Sequence, residues 1–207
     1  MAPRCLDADV HLWDAWHPRE AARVLAAVEA PWCVAAGWAI DLFLGEKRRE
    51  HEDLEIAVPR GRFGEVAAAL AEYELFVPAH VDGRDLVWPL QDAGERLDTH
   101  HQTWVREPAT GLWRIDVFRE PHDGDTWICR RDETIRIPYD EVIEHAAGIP
   151  FLRPEIVLLF KAKHSHQSKN ETDFADTVPR LGSARRGWLG DALARVHPGH
   201  AWLPSLR

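Results

Sequence analysis

Cysteine is scarce in this chain of 207 residues. Cys5, Cys33 and Cys129 are odd in number and far apart, which excludes a disulfide framework or a cysteine-based metal site and suits a reducing compartment. Long hydrophobic runs are missing too. No stretch approaches the roughly 20 apolar residues of a membrane span. The opening MAPRCLDADVHLWDAWHPRE lacks the continuous apolar core of a secretion signal. The expectation is a soluble, cytoplasmic protein with no membrane partner. Positive charge is also short: 34 acidic residues against 25 basic ones leave a formal charge of −9. That balance, with no basic stripe carrying interleaved aromatics, weighs against nucleic acid and for cationic or small-molecule partners.

Familiar signatures are absent as well. There is no Gly-x₄-Gly-Lys-[Ser/Thr] phosphate loop and no G-x-G-x-x-G fingerprint, which disfavours a dinucleotide-binding fold. His100–His101 and the HSH at 164–166 have no cysteine or acid at a spacing that would complete a zinc site. The DGD at 123–125 lacks the rest of a calcium loop and reads as a turn. No internal repeat is visible.

What is present is an alternation of short strands and helices. Pro18 opens a helical pattern with Val24, Leu25 and Val28 on one face, stopped by Pro31. WCVAA reads as a buried strand, WAIDLFLG as a two-turn helix closed by Gly45, and LEIAV as a strand after the charged loop EKRREHED. RFGEVAAALAEY is helical, and YELFVPA, HQTWVRE and GLWRIDVFRE read as strands. RDLVWPL, with Pro89, is an edge strand at best. Trp38, Trp113 and Trp188 fall in apolar patterns and are expected in the core, whereas Trp88 and Trp104 are candidates to stack on a base or sugar. After residue 150 the pattern turns helical. A mixed α/β domain over residues 1–150 is therefore expected, followed by a small helical domain over 151–207.

The chemistry concentrates in AAGWAIDLFLGEKRREHEDLEIAV, residues 35–58. Asp53 and Glu55 are two apart in a strand, so both side chains face one way. Like charges that close repel unless a cation lies between them. Mg²⁺ suits such a pair, because it takes few protein carboxylates and completes its octahedron with phosphate oxygens. Asp116 in RIDVF is the candidate third acid. Two acids in a strand also mark an ordinary solvent face, and Gly37 is what shifts the balance. It lies between a short strand and a helix, where a missing side chain lets phosphate approach the backbone N–H groups of the helix N-terminus.

Gly37 followed by Asp53-x-Glu55, with Asp116 in a later strand, resembles the nucleotidyltransferase superfamily represented by DNA polymerase beta. More narrowly, GWAIDLFLG…HEDLEIAV, WRIDVF and RPEIVLLFKAKHSHQSKNETDFAD resemble the aminoglycoside 2''-O-adenylyltransferases. The superfamily motif usually opens Gly-Gly or Gly-Ser where this chain has Ala36-Gly37, and the drug-modifying members usually carry aspartate where it has Glu55.

The resemblance implies an α+β nucleotidyltransferase fold, a mixed sheet flanked by helices, with the helical domain closing the active-site cleft. It implies transfer of a nucleoside monophosphate, AMP from ATP, to a hydroxyl of a small molecule such as an aminoglycoside. Asp53, Glu55 and Asp116 would hold Mg²⁺, with Asp116 also the general base. Gly37, Arg48, Arg49 and Lys161 would contact the nucleotide, and the family pattern favours Lys161 over Lys163. His51 would fix its loop. Asp173 and Asp176 would bind a cationic acceptor or orient a lysine, although a solvated helix face accounts for them equally. Lincosamide- or protein-modifying relatives, and a non-catalytic nucleotide-binding or regulatory protein that kept the fold, are the alternatives.

Overall fold

A computed structural model describes residues 5–206. The chain divides into two compact units: one runs to Trp32 and resumes over His51–Glu120, and the other takes Cys33–Glu50 and everything from Pro121 onwards. The helices after residue 150 therefore share a unit with residues 33–50 and 121–150, which differs from the division at residue 150 expected from the sequence. The reason lies in pairing. Cys33–Val34 pairs in parallel with Ile149–Leu152, which lies far away in the chain.

The first unit is built on a mixed sheet of six strands in the order Leu6–Asp7, Arg84–Pro89, Glu74–Val81, Gln102–Arg106, Trp113–Glu120 and Glu55–Pro59. All neighbours are antiparallel except the last two, which run parallel. Glu55–Pro59 forms because Leu54, Ile56 and Val58 alternate onto one face, where each is at most 1% exposed. Burying such a side chain contributes about 1.5–3 kcal/mol. Ile115, Val117, Thr103 and Val105 join that face, all completely buried. Arg119, whose guanidinium lies 5.6 Å over the Phe63 ring, sets the Phe63–Ala69 helix there as well. The opposite face carries Glu55, Asp116 and Trp104. Arg84–Pro89 is second from the edge rather than the edge itself. Pro89 is tolerated because the two-residue Leu6–Asp7 strand pairs only with Val87 and Leu86.

The Trp113–Glu120 strand carries a bulge that the alternating pattern did not reveal. Val105 pairs with Ile115 but Arg106 pairs with Trp113, so Arg114 is the extra residue. Trp113 thereby turns onto the Trp104 side, with ring centroids 5.3 Å from Trp104 and 5.5 Å from Phe76. The displaced Arg114 pairs instead with Asp14 and Glu107.

In the second unit, Cys33–Val34, Ile149–Leu152 and Ile143–Ala146 are successive hydrogen-bonded strands, and Arg136–Pro138, Thr126–Ile128 and His122–Asp123 form a separate three-stranded sheet. Ala147 and Gly148, both at positive φ, make the two-residue turn between Ile143–Ala146 and Ile149–Leu152. Four helices surround them: Ala36–Leu44, Pro154–Lys161, Ser168–Thr177 and Ser183–Val196. Pro154 opens its helix at the first turn, as its fixed φ favours. The C-terminal segment is pinned by Trp202, stacked on Phe174 at 4.2 Å and donating its Nε1–H to Glu171 at 2.9 Å. Of the three tryptophans expected in the core, Trp113 is buried, while Trp38 and Trp188 are half-buried at element surfaces. Among the described residues no helix is long and apolar enough to cross a membrane.

Candidate active site

The sheet of the first unit brings two of the predicted acids into register. Glu55 is the direct neighbour of Asp116 across the parallel pair, and the Asp116 backbone N–H donates to the Leu54 carbonyl at 2.8 Å. Paired residues on adjacent strands project from the same face, with backbones roughly 4.8 Å apart. Asp116 is 3% exposed and Glu55 half-buried. The strand begins at Glu55, so Asp53 stands two residues before it, half-buried.

Asp116 does not stand alone. Gln102, near the start of the neighbouring strand, donates its Nε2–H to Asp116 Oδ2 at 2.5 Å. Trp104 is the cross-strand neighbour of Asp116 on the other side from Glu55, so a row Glu55–Asp116–Trp104–Phe76 runs across the face. Behind it, on the opposite face, Arg119 is 2% exposed. It donates to the carbonyls of Leu97, His100 (2.7 Å) and Gln102 (3.1 Å) and to Thr103 Oγ1 (3.0 Å). Burial, assisted by the nearby Arg60 charge, pushes this guanidinium down to about 10, so it stays charged at neutral pH.

The predicted phosphate-binding residues gather in the second unit. Ala36–Leu44 starts without a side-chain cap, its first residue Ala36 at φ +47 and Gly37 buried in the first turn. An N-terminus without a side-chain cap is the kind of feature that favours anions. The basic loop that follows is tied back by Asp41, which is 5% exposed and accepts the Arg48 backbone N–H at 3.2 Å. Arg48 Nε then pairs with Asp176 at 3.1 Å, and these bonds, with those to Glu46, hold its guanidinium above the ordinary arginine value. Arg49 Nε and Nη2 each lie 3.3 Å from a different oxygen of Asp173. Lys161 Nζ lies 2.8 Å from Asp173 Oδ2 and 3.2 Å from Asn170 Oδ1.

Asp173, 3% exposed, thus bridges two cations instead of lying on a solvated helix face. Lys161 joins this cluster while Lys163 is exposed. Sequence reasoning missed Asp41, Gln102 and Asn170, all neutral or helix-embedded residues whose only signal is a partner distant in sequence. Trp88 is 4% exposed beneath the Arg96 guanidinium, 4.2 Å from its ring, which removes it as a stacking surface. Trp104 remains half-buried on the acid face.

Among the described residues, no three His, Cys, Asp or Glu side chains converge into a group that could hold a metal ion. The register places Glu55 beside Asp116, with Asp53 two residues ahead of Glu55. That donor set still fits Mg²⁺, which binds through one or two carboxylates plus substrate phosphates rather than in an all-protein cage.

Residues 19–107, less than half of the chain, match the family model described as aminoglycoside-2''-adenylyltransferase. The match takes in Gly37, Arg48, Arg49, Asp53 and Glu55. Over that stretch the chain is similar to the aminoglycoside 2''-adenylyltransferases. Its fold agrees. It is similar to the solution structure of the antibiotic-resistance factor ANT(2'')-Ia, at 14% identity and TM-score 0.56, over 86% of this chain and 89% of that one. It is likewise similar to crystalline ANT(2'')-Ia in complex with adenylyl-2''-tobramycin, at 13% identity and TM-score 0.56, over 86% and 95% of the two chains. The lincomycin-bound lincosamide antibiotic adenylyltransferase LnuA is more distant, at 15% identity and TM-score 0.48 over 74% and 89%. No curated protein matches the chain significantly in sequence. The fold that the chain shares with the two ANT(2'')-Ia structures is the α+β arrangement expected from its sequence.

Proposed function

We propose that this chain is a Mg²⁺-dependent nucleotidyltransferase that moves AMP from ATP to a hydroxyl of a small molecule, an aminoglycoside antibiotic being the acceptor the family favours. The observation that carries this reading is the register pairing of Glu55 with Asp116 on one sheet face. Two carboxylates in adjacent strands repel, so the arrangement makes sense as a cation site.

Asp53, Glu55 and Asp116 are the residues that would hold Mg²⁺ together with the nucleotide phosphates. When bound, the ion supplies Lewis-acid stabilisation of charge building on the phosphoryl and leaving oxygens. Asp116 accepts the proton of the acceptor hydroxyl as its oxygen attacks the α-phosphorus. The bond from that phosphorus to the β-phosphate oxygen breaks in line with the attack, and pyrophosphate leaves with the electron pair. Lys161 and Arg49, held by Asp173, and Arg48, held by Asp176, supply positive charge for the triphosphate. The −9 balance of the chain favours approach of a polycationic acceptor.

The test is pyrophosphate release from each NTP with Mg²⁺ over a panel of aminoglycosides and lincosamides, with Asp53→Asn as control. Drug-dependent release that disappears in the variant is expected. Nucleotide binding without release from any drug would turn the assignment to another acceptor or to a non-catalytic role. Absence of nucleotide binding would refute the reading.

A further inference from the structure

We propose that Gln102 is a positioning residue for Asp116, its side-chain amide aiming the carboxylate that takes the acceptor's proton. The inference rests on the transfer reading above. It starts from the 2.5 Å bond between Gln102 Nε2 and Asp116 Oδ2. Gln102 is in register with Phe118, not with Asp116, so its side chain reaches diagonally to the acid while Trp104 takes the position directly opposite. Such diagonal neighbours lie about 7–8 Å apart at the backbone, a gap a long side chain spans.

The amide is the right chemistry for the task. The terminal torsion of an aspartate is broad, so its two oxygens are poorly fixed by packing alone. A lysine or arginine at this position would fix the carboxylate but also neutralise it and weaken it as a base. A neutral amide fixes one oxygen without a countercharge, and it must present its N–H₂, because its carbonyl oxygen would repel the carboxylate.

The rest of the structure holds Gln102 in place from the opposite face. The Arg119 guanidinium binds the Gln102 carbonyl, the His100 carbonyl before it and the Thr103 hydroxyl after it. The Arg119 backbone N–H binds the His101 carbonyl at 2.7 Å. A completely buried arginine is costly to place, and here all of its side-chain bonds go to the segment 97–103 that carries Gln102. The geometry assigns a line Arg119–Gln102–Asp116 from the buried face to the acid face.

The test compares wild type with Gln102→Leu, which removes the donor, and Gln102→Glu, which keeps the shape but turns an acceptor toward Asp116. Steady-state pyrophosphate release is measured with the NTP and acceptor that drive the wild type, and thermal unfolding alongside. The expected result is a fall in kcat of about 10- to 100-fold, the usual effect of losing such a supporting bond. KM for the nucleotide should stay within about twofold, since the lost contact acts on the reacting hydroxyl and not on uniform binding.

The bond itself is read separately from the ¹⁵N–¹H side-chain signal of Gln102, expected to shift in Asp116→Ala. If Gln102→Leu is unfolded, Gln102→Asn, which keeps the amide but is one methylene short, is expected to show the same split. An active wild type with unimpaired kcat in the folded variants overturns the role of Gln102 alone, as does a side-chain signal indifferent to Asp116. Loss of kcat only in step with loss of folded protein does the same. A wild type inactive toward every acceptor overturns the transfer reading and this role with it.

Discussion

Asp173 accepts from Lys161 at 2.8 Å and from Arg49 at 3.3 Å, one buried carboxylate holding two cations. The cluster keeps a net positive charge, which is what a polyphosphate needs, while the acid fixes where that charge sits. Replacing Asp173 by Asn leaves two cations facing each other with no anion. Removal of one member of a buried pair costs about 3 kcal/mol or more. Asp173→Asn is expected to lower the urea midpoint accordingly and to raise KM for the nucleotide more than it lowers kcat.

The two lysines of this region should separate cleanly. Lys161→Met is expected to weaken nucleotide binding by about tenfold, the effect of one charge-assisted hydrogen bond. Lys163→Met, at an exposed position, should leave it unchanged. Isothermal titration with a non-hydrolysable NTP measures both, and equal losses would refute the assignment of Lys161.

Asp116→Asn keeps the shape of the acid and its place beside Glu55 but removes the base proposed for transfer. Transfer is expected to fall by about 10²- to 10⁴-fold, the usual contribution of general acid–base catalysis, with nucleotide affinity largely retained. Glu55→Gln is expected to lose Mg²⁺-dependent nucleotide affinity as well. Measuring turnover and binding on the same preparations distinguishes the two roles.

Ala36 begins its helix at φ +47, a region that suits glycine. The left-handed backbone costs a non-glycine residue about 1–2 kcal/mol, offset by the greater freedom glycine has when unfolded. Ala36→Gly is expected to stabilise the protein by on the order of 0.5–1 kcal/mol. Thermal unfolding reads this directly, and a destabilised variant would refute it.

His197 Nε2 lies 3.3 Å from Arg131 Nη1. An arginine can only donate, so the histidine accepts and is neutral. Burial first, then the charges of Arg131, His200 and Lys163, hold its pKa below the ordinary value of 6.5. With the folded value depressed, the unfolded chain takes up the proton first as pH falls. This interaction is therefore neutral above about pH 6.5 and costs stability progressively below it. His197→Gln is expected to show a shallower loss of thermal stability between pH 6.5 and 5 than the wild type.

Much of this was legible in local sequence. Pro18, Gly45 and Pro154 mark helix ends, and the alternation of Leu54, Ile56 and Val58 marks a buried strand face, because each signal is written within a few residues. The acids were recognisable by type and spacing. Asp116 was expected to join Asp53 and Glu55, but that Glu55 is its direct neighbour is a fact of register between distant strands. The bulge at Arg114 was hidden for a related reason: one extra residue reverses the face of Trp113 without changing the local pattern. Gln102 was silent because a neutral amide carries no signal until its acceptor is known.

Glu55 and Asp116 meet only when two strands far apart in sequence pair in parallel. Closing so long a loop is entropically costly, and such contacts are made late in folding. A nascent or partly unfolded chain therefore has acids but no acid pair, and the repulsion between them is incurred only once the surrounding sheet can bear it. On the proposed reading the acid pair and the completed fold arrive together, so a half-made copy of the chain carries no assembled site.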